Sequence, residues 1–406
     1  MAGAADRPEP TRAAAQARIA AVRPRDYAAT RNHLDGAVSG LSPYITHGIV
    51  DLPEVLAGVA AGHRLTLQHK FVFELGWREY FLDVWRQRGD AILASLHEGV
   101  LPDAAYTRDL PADVREARTG VPAIDSAVRT LYATGLLHNH ARMWLASYLV
   151  HLRKLHWRAG ADWMLGHLLD GDLASNHLSW QWVAGTGSHK PYLFNAENVA
   201  RFAPPDWHSP GTAIDVSYEA LDAIARSPRA IAPARGGDGV GTVEPAREST
   251  PPAQLGCTAP DAEAVRGRDV WLVHPWSLGE LPPDLSAGTV IVAIVLADFH
   301  RDWPWTAARW QFVAQRMAEL APLRWHGDAA ALGAALAGAR SVGAITNPHL
   351  GRWLPGLATC RSAPRLFAPQ DRPLRSFSEW WSRATRETGS IEELLGIDAT
   401  QADLFR

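Results

Sequence analysis

Apolar positions along this chain fall into two regimes. From about Asp26 to Trp207 they recur at three-to-four spacing, the mark of amphipathic helices. Leu65 to Arg88 carries Phe71, Leu75, Phe81, Leu82 and Trp85 in that rhythm. Pro122 to Leu136 and Asn139 to Arg153 continue it, the latter with Met143, Trp144, Tyr148 and Leu149 on adjoining faces. Gly120-Val121-Pro122 and Gly135 punctuate these segments. The pattern predicts a nearly all-α domain over residues 25–208. Further on, Val270-Trp271-Leu272-Val273 and Val290 to Leu296 are continuous β-branched runs. Such runs suit strands buried on both faces of a parallel sheet. Ala307 to Leu320 and Ala329 to Ala339 are helical, with short strand candidates at Leu323-Arg324-Trp325 and Gly343-Ala344-Ile345. This alternation predicts a smaller α/β domain with a parallel sheet over 268–390. It contains no G-x-G-x-x-G and no P-loop.

Three stretches lack either pattern. Residues 1–24 are rich in Ala, Arg and Pro and read as a flexible tail. Residues 209–267 contain an Ala-Pro-Ala-Arg-Gly-Gly run and Pro251-Pro252, the chemistry of an inter-domain linker. Within it, Ile214 to Ile224 is a candidate short helix docked on the first domain. Residues 391–406 read as a C-terminal tail.

Composition narrows the classes. The chain has 406 residues, of which 47% are hydrophobic and 20% charged, so it can bury the cores of two domains. A net charge of −3 argues against tight non-specific nucleic-acid binding but leaves room for a local basic rim. Two cysteines, Cys257 and Cys360, supply no disulfide framework and too few thiolates for an iron–sulfur cluster. No apolar run reaches the roughly 18 residues of a membrane span, and the N-terminus lacks a signal-peptide core. A cytoplasmic protein without a metal is expected.

Four segments of the helical half carry chemistry. Asp35 to Tyr44 places small residues and hydroxyls before a helix start, which suits either a phosphate or a plain N-cap. Glu74-Leu75-Gly76-Trp77-Arg78-Glu79-Tyr80 sets three charges inside an apolar helix. Leu137 to Met143 holds Asn139 and Arg142 on one helical face. Leu169-Asp170-Gly171-Asp172-Leu173-Ala174-Ser175-Asn176 is followed by Trp180-Gln181-Trp182. Asp-Gly-Asp resembles half a calcium loop, but the spaced carboxylates and closing Glu are missing. Two carboxylates, an amide and two indoles suit a planar heteroaromatic ligand with hydrogen-bonding edges.

In this order and at these intervals, the four segments resemble the FAD-binding domain of the DNA photolyase and cryptochrome family. Asp170 to Asn176 with Trp180-Gln181-Trp182, and Thr119 to Asp125 leading to His138-Asn139, carry most of that resemblance, which covers about residues 25–203. It implies a cofactor, FAD, with Val38, Ser39, Gly40, Leu41 and Ser42 at the pyrophosphate and Tyr27 nearby. Asp170, Gly171 and Asp172 would meet the ribityl chain and flavin edge, and Asn139 and Arg142 the flavin and adenine. Asn176 would sit beside the flavin N5, where the family's repair enzymes carry Asn and its cryptochromes often another residue. The partner implied is damaged DNA. A flipped-out pyrimidine dimer would meet Glu74, Trp77, Arg78, Asn139, Met143 and Trp182. Trp180, Trp157 and Tyr106 would form the electron-hopping chain, with tyrosine as the outer carrier.

The resemblance has departures. The family places its α/β antenna domain before the FAD domain, whereas here the α/β region follows, which implies a permuted order. Arg309 to Val313, His326-Gly327-Asp328 and Ser376 to Trp381 resemble antenna-domain features, but Val273-His274-Pro275-Trp276-Ser277 stands where Arg-x-Asp-Leu-Arg is usual. A second, antenna pigment therefore stays open. Gly40 occupies a commonly basic position of the phosphate loop, and Tyr192 to Ala196 replaces Arg-x-Phe-Asn-Pro. The expected function is light-driven repair of cyclobutane pyrimidine dimers. A cryptochrome-like photoreceptor and a flavin-free binding module are the alternatives.

Overall fold

A computed structural model of the chain describes residues 7–188, 190–232 and 241–396. Two compact units emerge. A helical unit comprises Arg25–Val38 and Gln87–Pro245, with Arg7 tied to it by hydrogen bonds to the Ala133 carbonyl. An α/β unit comprises Pro8–Pro24, Ser39–Arg86 and Ala246–Arg406. The helices that matter below are α1 (Arg12–Ala21), α2 (Leu52–Ala60), α3 (Lys70–Arg88), α4 (Pro122–Thr134), α5 (Asn139–Ser147), α6 (Trp157–His167), α7 (Leu173–Ala184), α8 (Tyr218–Arg226), α9 (Ala307–Leu320), α10 (Ala329–Leu336) and α11 (Phe377–Ala384).

In the helical unit, α4 to α7 pack around Ile124, Val128, Leu131, Trp144, Leu145, Trp157, Met164 and Trp180. Pro122 opens α4 and Gly135 closes it in the left-handed conformation, as the punctuation predicts. The Thr119–Asp125 motif is a lock on that helix start. Asp125 accepts from the Thr119 N–H at 2.9 Å and the Thr119 hydroxyl at 2.7 Å.

Part of the expected linker is packed structure. α8 buries Leu221 and Ala225. The buried Lys154 ammonium donates to the Ile224 and Ala225 carbonyls at 2.8 and 3.0 Å, and to the His151 carbonyl at 2.6 Å. A cation on the last carbonyls is the charge a helix C-terminus favours. Further along, Glu244 accepts from Trp163 Nε1 at 3.1 Å and pairs with His167 Nε2 at 3.0 Å. Most of the Ala-Pro-Ala-Arg-Gly-Gly run, from residue 233, lies outside the described residues.

The α/β unit holds a five-stranded parallel sheet: β1 (Asp269–Val273), β2 (Val290–Leu296), β3 (Leu323–Gly327), β4 (Ser341–Ile345) and β5 (Thr359–Arg361). The strand order is β3-β2-β1-β4-β5, with Val270 opposite both Val290 and Val342. Val270–Val273 and Val292–Leu296 are buried, as continuous apolar runs require. α9 connects β2 to β3, and α10 connects β3 to β4.

Two expected tails differ from what is found. In place of a tail, α1 is capped by Thr11, whose side chain accepts from the Ala14 N–H, and it buries Ala15 and Ile19 against α2. At the other end, Ile391–Leu394 forms a helical turn with Ile391 buried, and residues 397–406 lie outside the described set. The unit boundaries also differ from those read in sequence, because Ser39–Arg86 packs with the α/β region. The physical reason is a buried polar seam. Glu79 and Asp83 of α3, both essentially solvent-free, pair with Arg365 at 3.1 and 3.0 Å. Glu79 also accepts from the Leu366 and Phe367 N–H groups, and Asp83 from Trp380 Nε1 at 2.8 Å. Burial raises the Glu79 pKa, and Arg365 and these N–H groups oppose the rise.

Candidate functional site

The residues singled out in sequence divide between the two units. In the helical unit they gather at the start of α7. Asp172 is its N-cap and accepts from the Ser175 N–H at 2.8 Å. Two residues earlier, both oxygens of buried Asp170 accept from Arg142 Nη2, at 2.9 and 2.8 Å. Arg142 Nε donates to the Leu137 carbonyl at 2.8 Å, which aims the guanidinium along α5. Asp170-Gly171-Asp172 is thus held at one end by a cation and at the other by a helix terminus.

Asn176 lies one turn into α7. Its Nδ2 donates to the Ala161 carbonyl at 2.9 Å, and no described residue partners its Oδ1. An amide fixed through its donor and open at its acceptor suits a ligand N–H. Asn139 is exposed at the first position of α5, and its amide meets Met143 Sδ at 3.5 Å.

Trp180 and Trp182 are two positions apart, so they point about 200° apart around the helix. Trp180 is buried against Gly160 of α6, so closely that a Cβ there would collide with the indole. Trp182 is 42% exposed and lies 5.6 Å from the Tyr192 ring. Gln181 between them is a structural pin: Nε2 donates to the Ile92 carbonyl and Oε1 accepts from the Leu96 N–H, both at 2.8 Å. Trp157, one turn before Gly160, donates to Ser95 Oγ at 3.0 Å. His156 lies 5.8 Å from the Trp157 ring, and half-buried Tyr106 stands edge-on to His156 at 6.3 Å. Burial raises the Tyr106 pKa. His156 thus stands between Trp157 and Tyr106, while Trp180 lies against Gly160, one turn further along α6. Tyr27 is half-buried in Pro24–Thr30, and Val38 is exposed.

His138 and His140 flank Asn139. His138 caps α5 through Nδ1, and its ring lies 5.9 Å from that of His140, which packs on Phe202 at 5.1 Å. Burial, then neighbouring positive groups, push both down to about 4. Both imidazoles are neutral near pH 7.

In the α/β unit, the Ser39–Ser42 loop precedes Ser42–Thr46. Arg78 of α3 donates to Ser42 Oγ and, at 3.4 Å, to Thr46 Oγ1. Arg78, expected at the substrate, is therefore placed at the loop expected to hold a pyrophosphate. Arg18 of α1, which sequence reasoning missed entirely, lies against Gly40 of the same loop. Glu74 is half-buried. Trp77 stacks on Phe377 of α11, with ring centroids 3.9 Å apart and planes 8° apart, so one face of this indole is occupied. At the carboxyl ends of β1 and β4, where the strand order reverses, open α/β sheets often hold ligands. Here Trp276 stacks on His349 at 4.4 Å, and buried His274 meets the Ile345 carbonyl through Nε2 at 2.8 Å. Among the described residues, no group of three metal-ligating side chains occurs, and no helix is long and apolar enough to cross a membrane.

Comparison with known proteins gives the arrangement a context. The family described as the FAD binding domain of DNA photolyase matches residues 71–206. A deoxyribodipyrimidine photo-lyase of Streptomyces griseus is 37% identical over 167 residues, 40% of this chain and 36% of that protein. A cryptochrome DASH of Idiomarina loihiensis is 30% identical over 210 residues, 49% of this chain and 46% of that protein. The chain thus spans less than half the length of these curated relatives. The crystal structure of an archaeal photolyase from Sulfolobus tokodaii with two FAD molecules aligns at 25% identity and a TM-score of 0.41, over 53% of this chain and 50% of that one.

Proposed function

We propose that this chain, whose residues 71–206 match the family described as the FAD binding domain of DNA photolyase, is a flavoprotein that repairs cyclobutane pyrimidine dimers in DNA when illuminated. Asn176 carries the reading. It is the position at which the family's repair enzymes keep an amide, and its nitrogen is tied to the Ala161 carbonyl, which fixes the orientation of the amide. The other residues fit the same cofactor. The Asp170–Arg142 pair and the Asp172 cap offer it a polar edge. Bound, reduced FAD would supply the light-driven electron that opens the cyclobutane ring.

The chain's own residues do the rest. Asn176 would hold the flavin edge in one orientation. Trp182, exposed at the end of α7, would stack on an unstacked pyrimidine, and Asn139 and Met143 would line the approach. The neutrality of His138 and His140 favours the cyclobutane lesion over the (6-4) photoproduct. That second lesion calls for a proton donor, and an imidazole with a pKa of about 4 carries no spare proton near neutrality. The α/β region following the helical one fits a permuted antenna-like domain, and a second pigment stays outside this reading.

The deciding experiment gives the reduced, illuminated protein each lesion separately in a short oligonucleotide. Restoration of the cyclobutane dimer alone is the expected result. Restoration of the (6-4) lesion overturns the substrate, and restoration of neither returns the protein to a light-sensing role.

Trp180, Trp157 and Tyr106 would conduct charge between the buried pocket and the surface. Trp157→Phe keeps a ring in the core but removes the indole, so photoreduction of the oxidised bound flavin should slow sharply, at unchanged flavin content. An unchanged rate under the same lamp would reduce the three rings to packing.

A further inference from the structure

α1 carries a charge that the loop beside it lacks. Between Arg31 and Arg64 the chain has neither lysine nor arginine, so the Ser39–Ser42 loop has no cation of its own. A pyrophosphate is met most strongly by guanidinium groups, which offer paired N–H donors at fixed spacing. Two of them reach this loop from elsewhere in the α/β unit. Arg78 of α3 is already engaged with Ser42 and Thr46.

Arg18 of α1 is placed differently. Gly40 sits at φ +63°, and a Cβ on it would collide with Arg18 Nη1. The missing side chain at position 40 is therefore the space the guanidinium fills. Arg18 is exposed, and no carboxylate of a described residue pairs with it, whereas Arg12 on the same helix is neutralised by Glu54. Beneath it lies Tyr44, fully buried, whose hydroxyl has no hydrogen-bond partner among the described residues. The Arg18 guanidinium lies beside that hydroxyl and partly offsets the rise that burial gives the Tyr44 pKa. The helix itself is fixed. Thr11 caps it, and buried Ile19 seats so closely on Gly58 of α2 that a Cβ there would approach it to 2.5 Å. A cation without a carboxylate partner, a buried hydroxyl beside it and an emptied loop position thus converge at one place.

We propose that Arg18 is a pyrophosphate-binding residue, its guanidinium contacting the phosphate oxygens of bound FAD in place of the basic side chain that the family commonly carries at position 40. This rests on the FAD reading given above. Because the group is exposed, its contribution is screened by salt and lies at the lower end for a charged hydrogen bond.

The test titrates full-length apoprotein with FAD and, separately, with riboflavin, which shares the flavin ring but lacks both phosphates. In Arg18→Gln the FAD dissociation constant should rise about tenfold, the loss of one charge-assisted hydrogen bond. Riboflavin affinity should not move, and FAD binding should become less sensitive to salt. Apoprotein melting temperature should match the wild type, since the side chain is exposed. Unchanged FAD affinity, or equal losses for FAD and riboflavin, would overturn the role of Arg18. A wild-type chain that binds riboflavin but not FAD, or neither, would instead overturn the FAD reading beneath it.

Discussion

Arg142→Ala is expected to destabilise the helical unit by about 3–5 kcal/mol, the usual result of removing one partner of a buried ion pair. Asp170→Ala should cost less, about 1.5–3 kcal/mol for lost charge-assisted hydrogen bonds. The asymmetry follows from what each substitution leaves behind. Without Arg142, the Asp170 carboxylate stays in the protein, its side chain only 2% exposed, with its cation gone. Without Asp170, the guanidinium is left 26% exposed and still donates to the Leu137 carbonyl. The double variant should therefore be more stable than Arg142→Ala alone, because it also removes the carboxylate whose guanidinium partner is gone. Urea unfolding of the four apoproteins measures the cycle. A double variant whose loss equals the sum of the two single losses would show that the pair is not a coupled unit. Both singles should also lose FAD, since the polar edge at the start of α7 loses its charge or its orientation.

How much of this was legible in the chain depends on the range of the interaction. The β-branched runs became β1 and β2, and Ala307 to Leu320 became α9 residue for residue, because burial on a sheet and 3.6-residue periodicity are local properties. The Asp-Gly-Asp segment was also legible, since an N-cap and the carboxylate beside it sit next to each other in sequence. Other features had no local signal. α1 reads RAAAQARIAA, and its buried face is only Ala15 and Ile19, too weak a pattern to separate a docked helix from a tail. Glu79 and Arg365 are 286 positions apart, and so no periodicity announces that α3 is tied to the chain's far end. Nothing in the sequence around Trp77 shows that Phe377 lies on one face of its indole. Arg18 was missed for the same reason. The loop's gap at Gly40 was visible, but the side chain that fills it lies 22 positions upstream.

Trp182→Ala is expected to weaken binding of a dimer-containing oligonucleotide by roughly ten- to a hundredfold while leaving FAD in place. The magnitude is that of one base–aromatic stack, about 1–3 kcal/mol. The separation of the two effects comes from helix geometry. Trp180 and Trp182 share a three-residue segment, yet one faces the core at 3% exposure and the other faces outward at 42%. Truncating the outer ring creates no cavity in the core, and Gln181 still pins the helix to Ile92 and Leu96. Trp182 touches Tyr192, whose phenol burial pushes up to about 12, so the hydroxyl beneath stays neutral and offers DNA phosphates no repulsion when the indole is gone. The loss should therefore be one of stacking alone. Binding is measured with undamaged and dimer-containing strands of the same sequence at fixed salt, because phosphate contacts would weaken both equally. A fall confined to the damaged strand, with flavin absorbance unchanged, is the expected outcome. Equal weakening for both strands would make Trp182 a general DNA contact, and no weakening would remove it from the substrate surface.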